Sequence, residues 1–156
     1  MNQVAGMVNW GIIGCGDVCE VKSGPAFNKI PHSKLVAVMR RDAEKVKDFA
    51  TRHQVSKYYT DANELILDRD VNAIYIATPP SFHELYTEQA LAQGKPVYVE
   101  KPVTLHSESL IRMIEAEKKY NGKVSVAHYR RALPLFIKIK ELLHSGVLGK
   151  IRLVLL

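Results

Sequence analysis

The feature that most limits what this chain can fold into is an alternation running along its whole length, in which short apolar runs rich in β-branched residues are separated by longer helix-forming segments. Val8 to Ile13, Leu35 to Met39, Ala73 to Ala77, Val97 to Val99 and Val124 to Ala127 read as strands. They carry few polar residues, as strands buried on both faces do. Ala43 to His53, His83 to Gln93 and Ser107 to Tyr120 read as helices, and Leu110, Met113, Ile114 and Glu117 follow the three-four spacing of a half-buried helix. Asp42 and Ser107 are placed to accept the first free amide hydrogens, and Gly94 and Gly122 stand where helices stop. Tyr58 to Asp68 holds room for a strand and one short helix. Such alternation builds an α/β architecture, a doubly wound parallel sheet wrapped by helices.

The bulk numbers bound the function. A chain of 156 residues suits one domain and a remnant of another, and 47% hydrophobic with 24% charged residues is the balance of a soluble globular protein. No apolar run is long enough to cross a bilayer, and Met1 to Met7 lacks the basic start and apolar core of a signal peptide, so a cytoplasmic location is expected. Cys15 and Cys19 are too close together to close a disulfide loop and too few to hold zinc, which leaves two free thiols and no metal site. The formal charge of +6 is spread among acids along the chain. That distribution offers nucleic acid neither a basic face nor stacking aromatics, and a small ligand bearing phosphates accounts for it more simply.

The segment Gly11-Ile12-Ile13-Gly14-Cys15-Gly16-Asp17-Val18-Cys19 puts a strand directly before a glycine-rich turn and a helix directly after it. Gly14 permits the tight turn, Gly16 lets the backbone approach a pyrophosphate, and amide hydrogens at Asp17 and Val18 meet the charge at the helix start. This is the fingerprint of a Rossmann-type dinucleotide site. Its third position, usually glycine or alanine, is Cys19, small enough to be tolerated with the helix pushed slightly outward. Pro25 should break or offset that helix.

At the tip of the second strand, where a carboxylate would bond the ribose hydroxyls of NAD, the chain reads Met39-Arg40-Arg41-Asp42. Two guanidinium groups suit a 2′-phosphate by charge and fork geometry, so NADP is favoured over NAD. The alternative leaves Arg40 and Arg41 as solvated loop residues, with Asp42 capping the next helix.

Further on, Ala77-Thr78-Pro79-Pro80-Ser81-Phe82-His83 and then Glu100-Lys101-Pro102 follow the fourth and fifth strands at the ligand-binding edge of such a sheet. With the glycine loop, these motifs make the chain resemble the Gfo/Idh/MocA oxidoreductases, the relatives of glucose-fructose oxidoreductase and inositol dehydrogenase. The resemblance spans essentially the whole chain. It implies hydride transfer between nicotinamide and a sugar, polyol or related hydroxyl or carbonyl compound. Lys101 would be catalytic, reaching the substrate hydroxyl and the nicotinamide region; Thr78, Pro79, Pro80, His83 and Glu100 would flank the cofactor. Glu100 would support the loop rather than the chemistry, His83 at the start of the next helix is read as capping or packing more than as chemistry, and the Lys101-Pro102 turn has room for a cis bond.

Tyr129-Arg130-Arg131-Ala132-Leu133-Pro134 resembles the crossing into that family's second domain, which carries an Asp and a catalytic His and supplies most of the substrate pocket. None of His106, His128 and His144 matches that missing motif. The chain therefore divides into a dinucleotide-binding domain over residues 1–127 and, over 128–156, a linker helix from Pro134 to Leu143, a stop at Gly146 and a first strand, Ile151 to Leu156, of a truncated α+β domain. That strand is too apolar to stand in water and would pair with a second copy or fold back. Such a chain binds cofactor with little or no turnover. A non-catalytic dinucleotide-binding or sensor module is the alternative.

Overall fold

The computed structural model describes residues 6–154; the first residues weighed against a signal peptide, and Leu155 and Leu156 of the expected last strand, lie outside them. Six parallel strands form one sheet: β1 (Val8–Ile13), β2 (Ser33–Met39), β3 (Lys57–Tyr59), β4 (Ala73–Ile76), β5 (Val97–Val99) and β6 (Val124–Val126). Their order across the sheet is β3-β2-β1-β4-β5-β6. The order reverses between β1 and β4, and the loops leaving those strands diverge there to open a crevice at their carboxyl ends.

Adjacent residues of β1 point to opposite faces and so seed the two halves of the core. Ile13 packs with Ile74, Ile76, Val97 and Val99 beneath α3 (Ala62–Leu67), α4 (His83–Ala92) and α5 (Ser107–Lys119). Ile12 joins Leu35, Val38 and Tyr75 beneath α1 (Gly24–Phe27) and α2 (Ala43–Arg52). Each fully buried isoleucine contributes about 1.5–3 kcal/mol of apolar transfer, so the strand runs alone commit the chain to this sandwich.

The helix after β1 is offset as Pro25 requires. Cys19–Ser23 forms a π turn in which Gly24 N donates to Cys19 O, and Pro25, having no N–H, takes the next place without leaving a broken bond. Asp42 caps α2 as expected, its Oδ1 accepting from Lys45 N at 3.1 Å. Ser107 does not cap α5: it is the first helical residue, and His106 precedes it without a side-chain cap bond. Gly94, at φ 70°, ends α4 as expected. At the end of α5 the left-handed residue is Asn121, and Gly122 follows it because a Cβ there would meet Leu91 Cδ2 at 2.5 Å. The buried residues of α5 are Met113 and Ala116, whereas Leu110 and Ile114 keep 38% and 42% of their surface exposed.

Beyond β6, α6 (Pro134–His144) stops at Gly146 as expected but buries none of its residues; Leu135, Phe136 and Leu143 are all exposed. Residues 151–154 form no strand, contrary to expectation. A strand needs a neighbour's ladder to satisfy its amides and carbonyls, and none runs beside this segment among the described residues.

Candidate functional site

The glycine loop is fastened from both sides. Gly14 N and Cys15 N donate to Met39 O at 2.9 and 3.2 Å, tying the loop to the end of β2. Gly14 takes φ 92°, and a Cβ there would stand 2.8 Å from Thr78 N, so the loops after β1 and β4 meet at a position only glycine fits. Gly16 differs: nothing lies within 4 Å of where its Cβ would be. Its carbonyl accepts from Cys19 N and Glu20 N, so the helix begins here, with Asp17 and Val18 exposed on its first turn. A helix's first amides have no partner within the helix, and its positive end favours an anion.

Cys19 is fully buried, and its Sγ lies 3.7 Å from Gly14 O. Burial pushes the Cys15 thiol up to about 11, against the pull of Arg40, and the Cys19 thiol up to about 12. Both are free, and neither is a nucleophile near neutral pH.

A cavity of about 200 Å³ lies between the glycine loop, the end of β2 and the loop after β4. Arg40 and Arg41 both line it. Arg40 is anchored, its N donating to Tyr59 O at 3.2 Å and its Nη1 to Cys15 O at 3.4 Å. Arg41 is exposed, with its guanidinium 5.6 Å from the Phe82 ring centroid, and Phe82 in turn stacks on Tyr86 at 6.0 Å. The sequence reading missed Phe82 and Tyr86. Their four-residue spacing at the start of α4, directly after Thr78-Pro79-Pro80, was the available signal, since that spacing puts two side chains on one helix face.

A second cavity, of about 530 Å³, opens between Val18, Thr78, Glu100, Lys101 and the segment from His128 to Arg131. The structure thus brings Lys101 and Glu100 to the same edge as the glycine loop. Glu100 Oε1 accepts from Tyr75 OH at 2.6 Å and its Oε2 from Lys101 N at 3.0 Å. Burial, then the bond to Glu100, pushes the Tyr75 phenol up, so it stays protonated and donating. Lys101 Nζ has no hydrogen-bond or ion-pair partner among the described residues, and Lys101-Pro102 is cis. The segment from His128 to Arg131 forms a wall of this cavity, a role its sequence, which points to a domain crossing, does not signal.

Thr78 lines both cavities, and its Oγ1 is buried with no hydrogen-bond partner among the described residues. Pro79 lines the first cavity, while Pro80 starts the 3-10 turn Pro80–Phe82. Asp17 and Pro80 line neither cavity. His83, expected beside a cofactor, is 1% exposed and sits behind the loop rather than on the cleft. An open backbone at Gly16, an orphaned hydroxyl at Thr78 and paired guanidiniums at the β2 tip fit a dinucleotide lying across the two cavities. Among the described residues no cluster could hold a metal ion, and no helix is long and apolar enough to cross a membrane.

The chain is similar in sequence and in fold to known proteins. The chain is 56% identical over 144 residues to an oxidoreductase of Formosa agariphila and 35% identical over 143 residues to an inositol 2-dehydrogenase of Acidothermus cellulolyticus. These matches cover 92% and 91% of this chain but 45% and 42% of those proteins, so the chain spans less than half the length of these relatives. Among solved structures, a 3-ketoreductase from Actinomadura kijaniata in complex with NADP superposes with a TM-score of 0.86 at 25% identity, covering 94% of this chain and 45% of its own. The scyllo-inositol dehydrogenase of Lactobacillus casei, with bound NAD(H) and scyllo-inositol, gives 0.85 at 26% identity, covering 92% and 43%. The sequence model of the Gfo/Idh/MocA oxidoreductase family, NAD-binding Rossmann fold, matches residues 8–128, and the chain belongs to that family.

Proposed function

We propose that this chain binds NADP in preference to NAD and forms the cofactor half of an enzyme that moves hydride to or from a hydroxyl or carbonyl carbon of a sugar, polyol or related compound. The observation that carries the preference is the β2 tip. Arg40 and Arg41 line the first cavity, and Asp42, the residue after them, caps α2 and lies 3.2 Å from Lys45 Nζ. Among the described residues no acidic side chain lines that cavity, while two guanidiniums suit a 2′-phosphate. Solved relatives hold NADP in one case and NAD(H) in another, so the family accommodates both and the choice falls to this tip.

Gly14, Gly16, Asp17 and Val18 would hold the pyrophosphate at the helix start, with Thr78, Pro79 and Pro80 as the stiff opposing wall. A bound nicotinamide supplies or takes up the hydride. Lys101, unpartnered at the second cavity, would stabilise a developing alkoxide and orient the reacting hydroxyl. Glu100 holds the Lys101 amide and is itself held by Tyr75 OH.

Residues 128–156 are read as the opening of a second, substrate-bearing domain. The family match ends at residue 128 and the α6 helix beyond it buries none of its residues, which supports that division. On this reading the chain alone turns over little or no substrate; sustained, Lys101-dependent oxidation of a polyol by it would refute that part.

The test is a titration with NADPH and with NADH, followed by nicotinamide fluorescence, on wild type and on the Arg40→Ala, Arg41→Ala double variant. Charge-assisted bonds to a phosphate predict an NADPH advantage of about ten- to a hundredfold that vanishes in the variant. Equal affinities in the wild type, or a preference that survives the double substitution, would refute the proposal.

A further inference from the structure

We propose that His83 is a positioning residue, a buried clamp that joins the loop after β4 to the loop after β5 and so sets where Lys101 stands. This rests on the reading that those two loops flank a bound nicotinamide cofactor.

The two loops leave adjacent strands and then part. The last ladder bond between them is Glu100 N to Ile76 O at 2.9 Å. Beyond it, among the described residues, no backbone hydrogen bond joins 78–82 to 101–105. The imidazole of His83 spans the gap, with Nε2 2.8 Å from Thr78 O and Nδ1 3.0 Å from Val103 O. Thr78 borders both cavities, and Val103 follows Lys101 by two residues. Among the described residues, His83 is the one side chain hydrogen-bonded to both loops.

The chemistry is that of a link rather than a cap. A capping side chain accepts amide hydrogens, whereas both ring nitrogens of His83 face carbonyl oxygens, so the ring donates outward from the first residue of α4. A neutral ring donates to one of the two carbonyls and a protonated ring to both. A polar ring at 1% exposure is costly unless bonded, which makes these contacts the reason a histidine occupies the position. Lys101 is thereby held on two sides. Upstream its own amide donates to Glu100 Oε2, and downstream Val103 is fixed by His83.

The experiment compares the wild-type chain with His83→Phe, which keeps a planar ring and removes both ring nitrogens. Peptide-resolved hydrogen exchange, acylation of Lys101 against the other lysines across a pH series, and NADPH titration are read on each. The clamp predicts that exchange in 78–82 and 101–105 rises about tenfold or more while β1 and β2 keep their protection. It also predicts that the Lys101 labelling profile departs from the wild type while the other lysines hold theirs, and that NADPH binding weakens. A folded variant with both loops and Lys101 unchanged overturns the proposal, as does exchange that rises uniformly over the whole chain. Should His83→Phe fail to fold, the wild type decides. A His83 ring N–H that exchanges with solvent as fast as that of exposed His32 overturns the clamp, and a protected one supports it. If the wild type binds neither NADPH nor NADH, the cofactor reading fails while exchange and labelling still judge the clamp.

Discussion

The two glycines of the nucleotide loop should fail in opposite ways when each is given a single methyl group. At Gly14 the added Cβ would stand 2.8 Å from Thr78 N and Cγ2 and 3.0 Å from the Ala77 carbonyl carbon, on a residue at φ 92°. A side chain held in such a sparsely populated backbone region costs about 1–3 kcal/mol, and overpacking against a fixed backbone costs about 1–3 kcal/mol more. Reduced freedom of the unfolded chain returns about 0.4–1 kcal/mol, leaving a net loss of about 1–5.6 kcal/mol for Gly14→Ala. For a domain of this size each kcal/mol moves the melting temperature by about 2–4 °C, so the expected drop is about 2–22 °C. Gly16→Ala meets no atom within 4 Å, so its stability should match the wild type or rise by about 0.4–1 kcal/mol. Its methyl instead occupies the open side that a pyrophosphate would approach, and NADPH affinity should fall tenfold or more, about 1.4 kcal/mol. Thermal unfolding by circular dichroism and a fluorescence titration on the same samples separate the two effects. A Gly14→Ala chain that melts with the wild type, or a Gly16→Ala chain that binds NADPH undiminished, would refute the loop geometry or its role.

Two further outcomes follow from the charged and buried groups. Hydrogen bonds from Arg52 and then His53, working against partial burial, hold the Glu20 carboxyl down to about 2 from an ordinary value near 4.5. Because the folded value is the lower one, this carboxylate stabilises the fold fully above about pH 4.5 and loses that contribution as pH falls toward 2. The gap in melting temperature between wild type and Glu20→Gln should therefore close across that window; a gap that stays constant from pH 7 to the acid limit argues against the pairing. With the Cys15 and Cys19 thiols pushed up to about 11 and 12 by burial, neither should react with iodoacetamide at pH 8 until the chain unfolds. Rapid labelling of either in the native protein would show that the helix after β1 is not packed as described.

Local signals carried most of the fold because each one acts within a few residues. Val8 to Ile13 was legible as a strand since its apolar run has no other way to be buried on both faces, and the Pro25 offset was legible since a missing N–H must be accommodated somewhere. Where a signal depended on a neighbour, the reading slipped. Leu110, Met113 and Ile114 share the spacing of a half-buried helix, but of the three only Met113 is buried, together with Ala116, while Leu110 and Ile114 keep 38% and 42% exposure. Ile151 to Leu156 has the composition of a strand, yet pairing is a property of two segments, and among the described residues 151–154 have no ladder beside them.

The candidate site divides in the same way. The order of strands and helices, the glycine loop, the guanidinium pair at the β2 tip and the Glu100-Lys101-Pro102 turn could all be read from residue type and spacing, which specify turns, caps and charge locally. It took the folded arrangement to show that Phe82 and Tyr86 share a cavity with Arg41, that Glu100 is held between Tyr75 OH and the Lys101 amide, and that His83 faces two carbonyls instead of the cleft. These arrangements bring together residues up to 45 positions apart that meet only after a parallel sheet reverses its strand order and brings the ends of β1, β2, β4 and β5 to one edge.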